Sequence, residues 1–348
     1  MKVDAGVPTD LAAVATVARR ATEAGFNGLW SSETNHDPFL PLTLAAERAP
    51  GLDLGTAIAV AFARTPMTVA TVAHDLQRFS GGRFHLGLGS QIRPHIEKRF
   101  GMPWSRPAAR MREFVLALRA IWDCWDNGSS LKFRGDFYSH TLMTSFFSPE
   151  PSTFAPPKIL IAAIGDNMTR VAGEVADGLL VHSFTTERYL REVTIPALRS
   201  GFAAAGRSRS DFQVAYPGFV VTGSDEEAMQ ASAREIRRRI AFYGSTPAYR
   251  PVLELHGWGD LQTELHTLSL QGRWADMGGL IDDEVLETFA VVAEPEKVAQ
   301  AILARFAGLV DRFMLTVPRR DDLEAWAPVS ESLNAETPAD HGGEFAAG

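Results

Sequence analysis

Short apolar segments alternate with amphipathic segments along almost the whole chain, and this alternation limits the folds open to it. The segment Leu52 to Val60 is nearly all apolar, as expected for a strand buried on both faces. Apolar residues after Asp10 recur at the i, i+3, i+4, i+7 spacing of a helix that Asp10 can cap and Gly25 can end. Strands of this kind are predicted at residues 2–6, 26–30, 52–60, 83–88, 159–163, 178–182, 212–221 and 312–317.

Eight strands separated by helices favour an α/β fold of the (β/α)8 type, a TIM barrel with insertions. The main alternative is a doubly wound parallel sheet. The chain has 348 residues, 45% of them hydrophobic, which is enough for one large core. We therefore expect a single domain over residues 1–330, with insertions near 127–157 and 244–290. Residues 331–348 are expected to form a flexible tail.

The glycine-rich stretch "SGGRFHLGLGS" at residues 80–90 allows two interpretations. A dinucleotide-binding fingerprint needs a third glycine where Ile92 stands, and it normally follows the first strand rather than the fourth. In a barrel, His85, Gly87 and Gly89 would share the inner face, where glycines leave room for a flat group. We therefore favour the end of a barrel strand, with Gly89, Ser90 and Gln91 at the mouth.

The strand ends indicate which chemistry the barrel mouth can support, because active sites of this fold lie there. No lysine ends a strand, which disfavours a Schiff-base aldolase, and the absence of an HExxH motif disfavours a metallohydrolase. We predict no metal site. A small, neutral, apolar mouth suits a large flat cofactor that brings its own chemistry. The other predicted mouth residues are Ser31, Ser32, Glu33, His36, Asp37, Ala57, Ile58, Ala59, Ala162, Ala163, Ile164, Gly165, Asp166, His182, Ser183, Thr316 and Pro318.

Charge and cysteine content narrow the possible partners. The formal net charge is −8 and there is one cysteine, so we expect neither nucleic-acid binding nor an intramolecular disulfide. The N-terminus has no apolar signal region, and no apolar run reaches the length of a membrane span. We expect a soluble cytoplasmic protein that acts on a small molecule.

Four segments together resemble the luciferase-like monooxygenase superfamily, whose members are flavin and deazaflavin oxidoreductases on a TIM barrel. They are "AGFNGLWSSETNHDPFLPLTLAAE" (24–47), "LGTAIAVAFARTPMTVATVAHDLQRFSGGRFHLGLGS" (54–90), "RMREFVLALRAIW" (110–122) and "AAIGDNMTRVAGEVADGLLVH" (162–182). The likeness is to the coenzyme F420-dependent branch and weakens after about residue 205.

The resemblance implies roles for particular positions. The Ala57–Ile58 bond matches a non-prolyl cis peptide behind the cofactor ring, and Glu33 matches an acid near the deazaflavin. Ser90 and Gln91 match a loop beside the cofactor, although glycine is usual at position 91. Gly165 and the helix start at Asp166, next to Ala163, match the phosphate site, which suits the free N–H groups of a helix N-terminus. The resemblance also implies a homodimer.

Three side chains are candidates for moving a proton: Glu33, His36 and His182. Each has a purely structural alternative, since Glu33 can pair with an arginine, His36 can be a loop residue and His182 can satisfy a buried hydrogen bond. Thr34 stands where one dehydrogenase branch of the family has a histidine base, which disfavours a sugar-phosphate dehydrogenase. We predict F420-dependent hydride transfer to or from a small organic substrate. An FMN-dependent monooxygenase and an inert cofactor-binding protein are the alternatives.

Overall fold

The computed structural model describes residues 1–315 and 323–335, and eight parallel strands within them close into a barrel. Each strand pairs with the next around the ring, and β8 returns to β1, where Phe313 lies opposite Val3. This confirms the predicted TIM barrel. The strands are β1 Lys2–Gly6, β2 Gly28–Ser31, β3 Asp53–Thr56, β4 Phe84–Gly89, β5 Lys158–Ala163, β6 Gly178–Val181, β7 Gln213–Tyr216 and β8 Arg312–Met314.

Helices surround the barrel, and the first begins after Asp10, as the sequence predicts. The side chain of Asp10 accepts the N–H of Ala12 at the start of the first helix, and Thr65 forms a capping box with Thr68 at the third. The helices of seven or more residues in the described ranges are α1 Leu11–Glu23, α2 Phe39–Arg48, α3 Pro66–Phe79, α4 Pro107–Asn127, α5 Asp166–Val175, α6 Ile195–Ala205, α7 Glu226–Gly244, α8 Gly259–Leu270, α9 Asp283–Phe289, α10 Val298–Phe306 and α11 Ala327–Ala335. None of the helices described is long and apolar enough to cross a bilayer.

Several predicted element boundaries are wrong. The third strand is not continuous from Leu52 to Val60, because it ends at Thr56 and a short strand, Ala59–Val60, follows the cis Ala57–Ile58 bond. Ser224 has the residue type of an N-cap before α7, but the cap is Asp225, which accepts the N–H of Ala228. Helix α11 includes residues 331–335 of the predicted tail. Positions 316–318 and 336–348 lie outside the described residues.

The two predicted insertions differ in secondary structure. The first contains a small antiparallel hairpin, Phe133–Arg134 with Ser139–His140. The second is mostly helical and includes α8 and α9. It builds a second apolar cluster with α7, centred on Phe184, Phe219 and Phe289. This cluster lies on the chain that follows β6 and β7, so it borders the carboxyl ends of those strands.

The barrel interior is layered. At the amino ends of the strands, Arg312 is fully buried and donates to both carboxylate oxygens of Asp4, at 2.6 and 2.7 Å, and to Asp53 at 2.6 Å. Burial and the adjacent Arg312 lower the pKa of His85 to about 3, so this histidine is neutral. Above this charged layer lies an apolar one, formed by Trp30, Leu160, Leu180, Ala215 and Met314.

Candidate active site

A cavity of about 610 Å³ opens above the apolar layer, at the carboxyl ends of the strands. That volume lies within the usual range for small-molecule sites. Small residues at the ends of three strands, β1, β3 and β5, leave the space, namely Ala5, Gly6, Ala57 and Ala162. Trp30 lies at its base, with its indole N–H buried and without a hydrogen-bond partner among the described residues.

The polar side chains of this cavity come from β2, β6 and α7. Ser32 donates its hydroxyl to the carbonyl oxygen of Ala57 at 3.0 Å, which ties the end of β2 to the break in β3. His182 and Ser183 follow β6, and Arg239 and Tyr243 lie one turn apart on α7. Arg239 is the one charged residue among the described residues that line the cavity, so the site is nearly neutral.

His182 is held in one tautomer by its surroundings. Its Nδ1 accepts the backbone N–H of Phe184 at 3.0 Å, so this nitrogen carries no proton. Burial lowers the pKa of the imidazole to about 4, and the neutral ring therefore carries its proton on Nε2. That N–H donates to the hydroxyl oxygen of Tyr249 at 3.2 Å. Burial, with Tyr243 nearby, raises the pKa of Tyr249 to about 12, so its phenol stays neutral.

Glu33 is placed to fix the wall of the cavity. Its Oε2 accepts the backbone N–H of Val60 at 2.7 Å and Nη1 of Arg64 at 2.6 Å, and only 7% of its side chain is exposed. Its own backbone N–H donates to the carbonyl of Ile58 at 3.1 Å. The carboxylate therefore holds the segment that follows the cis bond. This is the arginine-paired alternative that the sequence left open.

The loop after β4 lies beside the cavity rather than in its wall. A Cβ on Gly87 would lie 1.8 Å from the carbonyl oxygen of Thr56, and a Cβ on Gly89 would lie 2.7 Å from Cδ1 of Ile58. The expectation that these glycines leave room for a flat cofactor group is therefore wrong, because the break in β3 fills that space. Ser90 donates to the carbonyl of Gln91, which adopts a φ of +58°.

His36 and Ala163 are separate from this cavity. His36 is exposed on the loop after β2, and Ala163 packs in the core outside the barrel. Of the sequence-predicted residues, those that line the cavity are Ser32, Ala57, Ile58, Ala162, His182 and Ser183. Sequence reasoning missed Arg239, Tyr243 and Tyr249 because they lie on α7 and in the second insertion, where no motif marks them.

A second pocket, of about 470 Å³, lies between the first turns of α4 and α5. Gly165 caps α5, and a Cβ there would meet nothing within 4 Å. Arg106 stands before α4 with a φ of +34° and pairs with Asp136 at 3.1 Å. The unpaired N–H groups of two helix N-termini can bind an anion. The carboxylate of Asp166 also lines this pocket, but it pairs with Arg170 one turn along.

The chain is therefore a TIM-barrel protein with a cavity at the carboxyl ends of its strands that one charged side chain lines among the described residues. The chain belongs to the luciferase-like monooxygenase family, whose model matches residues 2–312. This confirms the resemblance seen in the sequence. Similar proteins include a putative coenzyme F420-dependent oxidoreductase, Rv3520c of Mycobacterium tuberculosis, which is 26% identical and covers 87% of this chain and 90% of its own length. A Baeyer-Villiger monooxygenase of Pseudomonas putida, solved in complex with FMN, has the same fold, with a TM-score of 0.66 at 16% identity over 97% of this chain and 98% of that one.

Similar proteins add detail to this membership. The uncharacterized protein Rv1360 of Mycobacterium tuberculosis is 55% identical over 314 residues, which is 90% of this chain and 92% of that protein. A 5,10-methylenetetrahydromethanopterin reductase of Archaeoglobus fulgidus is 27% identical and covers 81% of this chain and 82% of its own length. The coenzyme F420-dependent tetrahydromethanopterin reductase of Methanopyrus kandleri has the same fold, with a TM-score of 0.75 at 22% identity over 94% of this chain and 98% of that one.

Proposed function

We propose that this protein is an F420-dependent oxidoreductase that acts on a small organic substrate in the mouth cavity. The observation that carries the proposal is the cavity itself, which is large, mostly apolar and free of carboxylates among its described lining residues. Such a site contributes little chemistry of its own and therefore suits a cofactor that supplies it. A relative described as a putative coenzyme F420-dependent oxidoreductase, 26% identical to this chain, supports the choice of cofactor.

The residues present fit the two parts of such a cofactor. Ala57, Ile58 and Gly6 form walls without charge or bulk, which suits a flat deazaflavin ring. The second pocket, at Gly165 and Asp166, suits an anionic tail because two helix N-termini converge there. When bound, F420 would exchange a hydride at its ring with a carbon atom of the substrate.

The chain's own residues would position the reactants and keep water out. Glu33 fixes the Ile58 wall through Val60 and Arg64, so we assign it a positioning role. His182 is neutral and its Nε2–H donates to Tyr249, so we assign it to the polar wall of the cavity rather than to proton transfer. Ser90 and Gln91 would lie next to the cofactor from the β4 loop, while His36 would stay outside the mouth.

The test is a parallel titration of the purified protein with F420 and with FMN, followed by absorbance and fluorescence. We expect F420 to bind in the micromolar range or tighter and FMN to bind more weakly. Ala162→Leu, which adds bulk inside the cavity, should weaken F420 binding, whereas the matched Ala162→Ser should not. Binding of FMN alone would favour the monooxygenase alternative, and binding of neither would favour the inert protein.

We also propose that the protein is a homodimer. Leu40 and Leu44 on α2 and Phe79 at the end of α3 are exposed by 57%, 37% and 57%, which is unusual for large apolar side chains on adjacent helices. Light scattering coupled to gel filtration should give twice the mass of 37.9 kDa for the wild type. The Leu44→Glu variant should have the mass of the monomer, because it places a charge in the proposed interface. A monomeric wild type would refute the dimer.

A further inference from the structure

We propose that the mouth cavity takes a substrate that carries an anionic group, a carboxylate or a phosphate, and that Arg239 binds this group. The inference deepens the proposed function, because it assigns a substrate class to the same cavity. It depends on the placement of one cation in a site that otherwise has no charge.

Arg239 is the one charged side chain among the described residues that line the cavity. The other lining residues in the described part of the chain are apolar or neutral, and His182 stays neutral because burial lowers its pKa to about 4. A guanidinium beside apolar walls attracts an anion more strongly than one in bulk water, because fewer water molecules screen the pair. An anionic ligand gains this electrostatic attraction, and an uncharged ligand does not.

The terminal nitrogens of Arg239 are available to a ligand. Its Nε donates to Oε1 of Glu235, one turn earlier on α7, at 3.1 Å. The two Nη atoms make no hydrogen bond to any described residue. The Glu235 side chain is 43% exposed and that of Arg239 is 33% exposed, so solvent screens their pair. The pair leaves the outer edge of the guanidinium open to the two oxygens of a carboxylate or phosphate.

Tyr243 extends the same surface. It lies four residues after Arg239, so both side chains project from one face of α7 and both line the cavity. The Tyr243 ring packs edge-on against His182, with ring centroids 4.8 Å apart, and its hydroxyl has no partner among the described residues. A ligand bound to Arg239 therefore meets a second hydrogen-bonding group next to the cation.

The cofactor's own tail is the other possible source of an anion. The second pocket, between α4 and α5, offers that tail a separate place at two helix N-termini. Arg239 lies instead on α7, which follows β7. We therefore assign Arg239 to the substrate, and the experiment below separates the two sources.

The experiment uses benzoate and benzamide as probes of nearly equal shape that differ in charge. Their binding to the full-length protein is measured by ligand-observed NMR for the wild type, Arg239→Gln and Arg238→Gln. Arg238 is the matched control, since it is exposed on the same helix and does not line the cavity. Arg239→Lys keeps the charge but loses the two-pronged geometry.

We expect Arg239→Gln to weaken benzoate binding about 10- to 100-fold and to change benzamide binding less than about 2-fold. Arg239→Lys should fall between, and Arg238→Gln should match the wild type. Inorganic phosphate should compete with benzoate in the wild type. Equal benzoate binding by wild type and Arg239→Gln, with unchanged circular dichroism, would overturn the proposal.

Titration of the same variants with F420 separates this proposal from the proposed function. If Arg239→Gln weakens F420 as much as benzoate, Arg239 binds the cofactor tail and the substrate proposal is wrong, while F420 dependence stands. If the wild type binds benzoate but not F420, and Arg239→Gln weakens the binding of benzoate, the anion site is supported and the cofactor proposal is wrong.

Discussion

Nε2 of His182 lies 3.2 Å from the hydroxyl oxygen of Tyr249, and this contact joins the end of β6 to the second insertion. The imidazole cannot take up a second proton without losing the bond that Nδ1 accepts from Phe184. His182, which the sequence puts forward as a proton donor, is neutral in the structure, and its hydrogen bonds connect the barrel to the segment above it.

The first prediction concerns acid stability. The pKa of His182 is lowered by burial to about 4, so the unfolded chain binds more protons than the folded one between about pH 6.5 and pH 4. The free energy of unfolding should fall as pH falls through this window, by up to about 3 kcal/mol from this group. Urea unfolding at several pH values should show a flatter profile for His182→Gln than for the wild type. Parallel profiles would contradict the assignment.

The second prediction concerns Glu33 and its ion pair. Glu33→Gln should lower the free energy of unfolding by about 1–3 kcal/mol, because it removes the charge partner of Arg64 from a largely buried site. The matched control is Asp37→Asn, which removes the exposed partner of the same arginine, 3.2 Å away, and should cost less than about 1 kcal/mol. Chemical denaturation measures both. If the two variants lose equal stability, burial of the Glu33 carboxylate does not strengthen its pair with Arg64, and the prediction is wrong.

The third prediction concerns the charged layer at the bottom of the barrel. Arg312→Met should destabilise the fold by about 3–5 kcal/mol, since it leaves the fully buried Asp4 without its partner. Adding Asp4→Asn to that variant should recover part of the loss, because the uncompensated charge is then gone. Thermal unfolding of the single and double variants gives the comparison, and strictly additive losses would argue against coupling between the two residues.

The fourth prediction contrasts two glycines. Gly87→Ala should prevent stable folding, because its Cβ would lie 1.8 Å from a backbone oxygen of β3 and 2.6 Å from a methyl group of Leu180. Gly6→Ala should fold normally, since the nearest atom to its Cβ is a backbone oxygen at 3.8 Å. Soluble yield and circular dichroism distinguish them. A well-folded Gly87→Ala protein would contradict the prediction, because it would mean that β3 and β4 can move apart without loss of stability.

Periodicity predicts much of this fold because buried parallel strands and amphipathic helices leave strong local patterns. The inward direction of His85, Gly87 and Gly89 follows from strand alternation alone, and the structure agrees. What the two glycines make room for cannot be predicted from the pattern, because only the tertiary structure shows that Thr56 and Ile58 occupy the space beside them.

The site shows the same division. Glu33 stands out as a strand-end acid, but its partner Arg64 lies 31 residues further along the chain, and no spacing rule links them. Arg239 and Tyr243 belong to a charged helix whose pattern resembles any solvated surface. Their contact with the cavity depends on how α7 packs against the short strand Phe219–Val221 and the second insertion, which no local pattern specifies.

The bond between Arg312 and Asp4 also bears on how the protein is made. The two residues are 308 positions apart, so Asp4 meets its guanidinium only after residue 312 has left the ribosome. Until then β1 has an open edge where β8 will pair, and its carboxylate stays in water. Strand β1 thus gains its second neighbour only with β8, and a nascent chain halted before residue 312 exposes an unpaired edge of β1.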